Sequence, residues 1–275
     1  MSATEIEALD SKYLAILVER IKVCENYKPK FGKSGKPGLT LQEFTKLYHG
    51  DDFYSWFGLD TPWVYAAHKA AGGITSVYRQ IGIGCEQVFR LVLQDQLGLS
   101  DSQAKWSYET TGYGKKRTLS LDGRIDLKDV RSTPRQKIIS QWLLQAAKRL
   151  NIAPEIAQVL KGAVFEVRQG YKSKDSKRQN ADIANAATAY SQGYLPVIVT
   201  LSTQIDSDIA SRYEGEKWLI LQGYVGGSST TSTYVFANEV IGYDLAAFFQ
   251  RNSGELRKTI EEVSKVLLGT DERND

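Results

Sequence analysis

The stretch Gly162-Ala163-Val164-Phe165-Glu166-Val167-Arg168, with the apolar run Tyr194-Leu195-Pro196-Val197-Ile198-Val199-Thr200-Leu201, decides the fold. Each is short, rich in β-branched and aromatic residues, and has a glycine close by in Gly162, Gly170 or Gly193. Runs of this length and texture suit strands, and the unbroken apolar run suits the centre of a sheet covered on both faces. Residues 176–191 between them read as a helix, after a basic loop from Gly170 to Asp175. Toward the C-terminus, Lys217–Gly223 is a further strand, and Leu245–Gln250 and Glu255–Leu268 are helices. Toward the N-terminus, Lys116–Val130 alternates like a half-buried strand or hairpin. Ser132 or Thr133 then caps a helix that has Pro134 at its first position and runs to about Asn151, followed by a short helix from Pro154 to Leu160. The expected class is α/β, a mixed central β-sheet flanked by helices.

The first 75 residues form a helical N-terminal portion, which leaves 76–275 as the α/β core. Apolar residues Ile6, Leu9, Tyr13, Ile16, Leu17 and Ile21 recur at helical spacing, with Thr4 as the expected N-cap. Residues 27–38 carry four lysines, two prolines and three glycines and read as an exposed basic loop, either a connector or a contact for nucleic acid. The aromatic residues between 39 and 71 read as core of short packed helices, not as a ligand cage. A longer helix is expected from Ser76 to Leu97.

Composition narrows the function classes. The chain is 42% hydrophobic and 24% charged, which excludes disordered and collagen-like proteins, and 35 basic against 32 acidic residues give a net charge of only +3. Two cysteines far apart, Cys24 and Cys85, make neither a disulfide framework nor a zinc motif. His49 and His68 lie on different segments and supply neither a metal cluster nor a triad. Gly32-Lys33-Ser34 lacks the glycine a phosphate loop needs five positions earlier, where Tyr27 stands. Gly82-Ile83-Gly84 lacks the third glycine of a dinucleotide fingerprint, its place being taken by Gln87. With no apolar run long enough for a bilayer and no leader-like start, the expected molecule is soluble, reduced and cytoplasmic.

One constellation survives. Asp126 ends an apparent strand, and Glu166 stands inside another with Arg168 on the same face two residues on. Two carboxylates on neighbouring strands make a hard, oxygen-lined site suited to Mg²⁺. A cation beside them can steady a phosphoryl transition state. Lys172, Lys174, Lys177 and Arg178 follow at once and suit a polyphosphate backbone. Asp122, in Leu121-Asp122-Gly123, reads as a turn former. A structural Glu166–Arg168 ion pair is the plainer account of those two residues.

Residues 80–250 resemble the PD-(D/E)XK nuclease superfamily, the type II restriction endonucleases most of all. The resemblance rests on an ordered set: the helix segment Gly84-Cys85-Glu86, the hairpin Gly123-Arg124-Ile125-Asp126, the strand Phe165-Glu166-Val167-Arg168, the basic helix start and the strand Pro196–Leu201. The late pairing of Trp218–Gly223 with Ile241–Phe248 adds to it. The resemblance implies a restriction-endonuclease-like fold and Mg²⁺-dependent hydrolysis of double-stranded DNA at a specific site, leaving a 5′-phosphate and a 3′-hydroxyl. It also implies a homodimer and a cognate methyltransferase that protects the host. Asp126 and Glu166 would bind metal, with Glu86 as a third carboxylate. Arg168 stands where the family has lysine; it can supply charge but no general base, so Lys172 or Lys174 is the candidate if a lysine is needed. Lys33 and Lys36 join the expected DNA contacts, and base-reading side chains are sought in 28–38, 107–117 and 223–233. The rival expectations are a structure-selective or repair nuclease on the same fold and a non-catalytic DNA-binding protein.

Overall fold

The computed structural model describes residues 2–31, 37–112, 115–170 and 185–269. The chain divides into two compact units, residues 1–84 with 251–275, and residues 85–250.

The first unit is helical: Ala3–Lys22, Leu41–His49, Asp52–Trp56, the leading part of Pro62–Leu97, and Ser253–Leu268. The first helix starts earlier than Thr4 because Ser2 and Glu5 cap it reciprocally, Ser2 Oγ accepting the Glu5 N–H and the Glu5 carboxylate accepting the Ser2 N–H. Thr40 and Glu43 repeat the device at Leu41–His49. The expected helix at Ser76 begins instead at Pro62, its glycines 72, 73, 82 and 84 being absorbed without a break. The core joins Ile21, Cys24 and Val77 to Val263 and Leu267. That apolar face draws the last helix into this unit, where the sequence placed it with the α/β core. Asp10, buried here, accepts from Arg251 Nε at 2.7 Å and Nη2 at 3.0 Å and from Asn252 Nδ2 at 3.3 Å.

The second unit is mixed α/β. Strands β1 (Trp106–Gly112) and β2 (Lys115–Leu121) form an antiparallel hairpin. The four-stranded sheet runs in the order β3 (Gly123–Asp126), β4 (Gly162–Arg168), β5 (Tyr194–Thr200), β6 (Leu219–Leu221), with β3 antiparallel to β4 and the rest parallel. Gly162 lets β3 close on β4: a Cβ there would lie 1.9 Å from the Ile125 carbonyl oxygen. Both faces of the sheet are covered, as the apolar runs foretold. Phe165 meets Phe89 and Phe236 on one face, with Trp142 behind Phe236. Val164, Tyr194, Ile198 and Ile220 meet Trp106, Leu121, Ile209, Tyr213 and Trp218 on the other. Ser132 caps Thr133–Arg149 with proline in its first turn, and residues 185–191 are helical. Among the described residues no helix is long and apolar enough to cross a membrane. Both cysteines are free and buried.

Candidate active site

Strand register decides which acids meet. Asp126 pairs with Gly162, and Gly123 pairs with Phe165. Asp126 therefore stands four residues along β4 from Glu166, about 13 Å away. The pairing ends at Gly123–Phe165, and Asp122 is the bend residue one step beyond it. Its carboxylate bends onto β4, where Oδ2 accepts the Val167 N–H at 2.8 Å. The structure thus brings the Asp122 carboxylate to the strand backbone between Glu166 and Arg168, and the expected Asp126–Glu166 pair is not formed.

Asp122 was legible only as a turn residue, and it is that too: it sits at the bend that separates β2 from β3. The signal that could have found it is the pairing arithmetic of a hairpin. Once any residue of β3 is set against β4, Asp122 falls at the bend just past the Gly123–Phe165 pair, within reach of the strand end that carries Glu166 and Arg168. Arg90 supports the bend, its Nε donating to the Asp122 carbonyl oxygen at 2.7 Å.

Glu166 is buried and ion-paired with Arg168, whose Nη2 meets Glu166 Oε1; the side chains are 9% and 10% exposed. A shared face at i, i+2 and a nearly dry setting make this a strong, oriented pair. Arg168 closes the strand, and its carbonyl oxygen accepts the Leu201 N–H at 2.9 Å.

Asp126 has another task. It is 2% exposed, Oδ2 accepts the Tyr194 hydroxyl at 2.8 Å, and Oδ1 accepts the Lys128 N–H at 3.3 Å to cap the 3-10 turn Leu127–Asp129. The exposed ammonium of Lys128 lies 3.5 Å from Oδ2. Burial, reinforced by the bond to Asp126, pushes the Tyr194 phenol up to about 12. A buried carboxylate satisfied in this way ties β3 to β5.

Glu86 lies on Pro62–Leu97, one helical turn before Arg90. Phe89 of that helix packs on Phe165, the face of β4 opposite Glu166. Among the described residues no group of three or more His, Cys, Asp or Glu side chains is assembled for a metal. The charge of Glu86 is felt by Cys85, whose thiol is pushed up to about 12 by burial first and by Glu86 second.

Lys172, Lys174, Lys177, Arg178, Lys33 and Lys36 lie outside the described residues. In the segment 223–233, Ser228 and Thr231 bond each other, and the Ser229 and Thr230 carbonyl oxygens accept from Trp142 Nε1 and Arg149 Nη1. The Asp122 carboxylate at the Val167 N–H and the Glu166 carboxylate one residue earlier are hard donors of the type that suits Mg²⁺, with the Arg168 guanidinium beside Glu166. Searches against protein-family models, curated proteins and solved structures found no match to this chain.

Proposed function

We propose that the second unit is a Mg²⁺-dependent deoxyribonuclease whose acids are Asp122 and Glu166, and that its fold is restriction-endonuclease-like. The observation that carries the reading is the bond from the Val167 N–H to the Asp122 carboxylate, which holds that acid at the residue after Glu166, with Arg168 ion-paired to Glu166. The order of elements supports it as well: a helix, an antiparallel strand pair, then a parallel strand. When bound, the divalent ion would supply Lewis acidity and an ionised water for attack on phosphorus. Asp122 and Glu166 would hold it, each ionised and acceptor-only. The sheet fixes Glu166 through the β4–β5 ladder and Asp122 through Val167 N–H, so little reorganisation accompanies charge build-up. Arg168 holds the Glu166 carboxylate in place and presents positive charge near the expected phosphate. As a guanidinium it stays protonated, so it stabilises charge and takes no proton.

The substrate in this reading is double-stranded DNA cut at a specific site, with 5′-phosphate and 3′-hydroxyl ends. One such site per chain addresses one strand, so a two-fold homodimer on a palindrome would cut both. A cognate methyltransferase would protect host sites. The deciding experiment incubates the purified full chain with DNA of known sequence, in Mg²⁺ or EDTA, and maps the ends. Fixed, Mg²⁺-dependent ends that vanish in Asp122→Asn and Glu166→Gln support the reading. Ends without sequence preference point to a structure-selective nuclease. DNA binding without cutting would leave a non-catalytic DNA-binding protein.

A further inference from the structure

The first unit holds a cavity of about 550 Å³ that the nuclease reading does not use. Its walls are largely aromatic. The Phe31 ring sits 4.7 Å from Phe44, 5.4 Å from Tyr48 and 4.8 Å from the His68 imidazole, centroid to centroid. Tyr48 and Tyr54 stack at 4.7 Å with planes only 18° apart. Tyr27 lies across Gly72, where a Cβ would meet its hydroxyl at 2.0 Å, so only glycine leaves that ring its place. Phe31 has φ of +27°, a backbone state that bulky residues rarely adopt, and its ring is packed into the cluster. Burying this many rings would ordinarily make a plain core, as the sequence suggested. Here the rings enclose space instead, and at the same part of the unit Phe53, Trp56, Phe57 and Trp63 remain exposed, the two tryptophans by 80% and 78%.

We propose that this cavity binds a nucleotide, with the base against the Tyr48–Tyr54 stack and the phosphate at Lys30. Stacked phenol rings offer a π-face of the size of a base, and stacking of this kind is tolerant of sequence. Lys30, exposed, places an ammonium at the rim. Asp51 lines the cavity, and Oδ1 caps the next helix by accepting from Phe53 N at 3.1 Å and Tyr54 N at 3.4 Å. Its second oxygen, Oδ2, is an acceptor that this proposal offers to an exocyclic amine. The volume is within the range of small-ligand sites. A fatty guest would want aliphatic walls; rings tipped with hydroxyls, an imidazole, a carboxylate and an ammonium fit a flat heterocycle carrying negative charge. The inference stands whether or not the second unit cuts DNA.

The test is calorimetric titration of the full chain in EDTA, where no Mg²⁺-dependent cutting can occur. Titrants are dAMP, dGMP, dCMP, TMP, the matching nucleosides and a single-stranded hexadeoxynucleotide. Tyr54→Ala should weaken binding about ten- to a hundredfold, and Tyr54→Phe should preserve it. Lys30→Ala should weaken nucleotides while leaving nucleosides unchanged. TMP, which lacks an exocyclic amine, should bind most weakly, and Asp51→Asn, which retains the cap, should erase that order. Displacement of dGMP by the hexamer assigns an unpaired nucleotide of a strand; dGMP binding that the hexamer cannot displace assigns a free nucleotide. No binding of either titrant, or wild-type affinity in Tyr54→Ala, overturns the proposal. Circular dichroism on each variant separates lost binding from lost fold.

Discussion

Replacing Asp126 and Asp122 in turn separates an acid that holds the sheet from an acid that serves the chemistry. Asp126→Ala removes the acceptor of the buried Tyr194 hydroxyl, bonded at 2.8 Å, and the cap of the Lys128 N–H. A buried hydroxyl left unsatisfied costs about 1–3 kcal/mol, and a lost cap about 1 kcal/mol more. The Lys128 ammonium is 74% exposed, so its pairing with Asp126 contributes under about 1 kcal/mol. The expected total is about 2–4 kcal/mol, or roughly 5–15 °C in Tm for a domain of this size. At 20 °C the variant should remain folded and should cut DNA at close to the native rate. Asp122→Asn keeps an oxygen for the Val167 N–H and so should melt within a few degrees of the parent, since an isosteric change at a half-exposed site is commonly small. Under the proposed function its cleavage rate should fall on the order of 10³-fold or more, because several kcal/mol of transition-state stabilisation would pass through a metal it helps to hold. Thermal melting by circular dichroism and single-turnover cleavage on the same preparations measure both quantities. An Asp126→Ala protein that melts normally but is inert, beside an Asp122→Asn protein that cuts normally, would refute the assignment.

Arg168→Lys should retain substantial cleavage, while Arg168→Ala should lose on the order of 10²–10³ in rate, the usual loss for one preorganised donor; equal activity of the two in a single-turnover assay would remove Arg168 from the site. Gly162→Ala should destabilise the second unit by at least the roughly 1–3 kcal/mol of an overpacked core, since its Cβ would strike the Ile125 carbonyl oxygen at 1.9 Å; a native urea midpoint would contradict the tight approach of β3 to β4. Cys85, 5% exposed and with its thiol pushed up to about 12, should resist alkylation at pH 8 until the protein unfolds, which mass spectrometry after an iodoacetamide pulse reads directly. Tyr194 ionises near 10 when unfolded and near 12 when folded. The unfolded chain therefore holds fewer protons between those values, and stability falls as pH rises from about 10 to 12. Tyr194→Phe should make that decline shallower in melts across the range.

The strands of the sheet were readable because β4 and β5 are buried on both faces, and burial of that kind writes itself as an unbroken apolar run. Helix ends were less readable. Ser2 and Thr4 are both good caps, and only the reciprocal bond with Glu5 chooses Ser2. The pair β1–β2 was half seen, since the exposed Ser107 and Glu109 break up the apolar pattern of Trp106 and Tyr108. Glu166 and Arg168 were legible at the site because alternation alone puts i and i+2 on one face. Asp122 was not, since two aspartates four residues apart, 122 and 126, both end apparent strands. Only the long-range register with β4 tells them apart, and no local pattern encodes it. The aromatic segment reads as core, which holds for the fully buried Phe44, while Phe53, Trp56, Phe57 and Trp63 are exposed; a run of aromatic residues does not by itself tell which rings are covered.

The break between β2 and β3 does more than change strand direction. Along an uninterrupted antiparallel ladder, the Val167 N–H would be available to a backbone carbonyl of the neighbouring strand. At the bend, the Asp122 carboxylate takes that place at 2.8 Å. A side-chain acid thereby inherits the positional precision of a ladder bond, at the residue that follows Glu166. Helix support comes from Arg90 at the Asp122 carbonyl oxygen, so backbone and side chain of this one residue are each held by a separate element. Preorganisation of this kind is what an electrostatic site requires, because acids that must move into place during the reaction would spend the stabilisation they offer. Under the proposed function, the turn-forming residue and the acid that would hold the metal are then the same aspartate. The turn delivers the carboxylate to the sheet edge, and the hydrogen bond to Val167 aims it there.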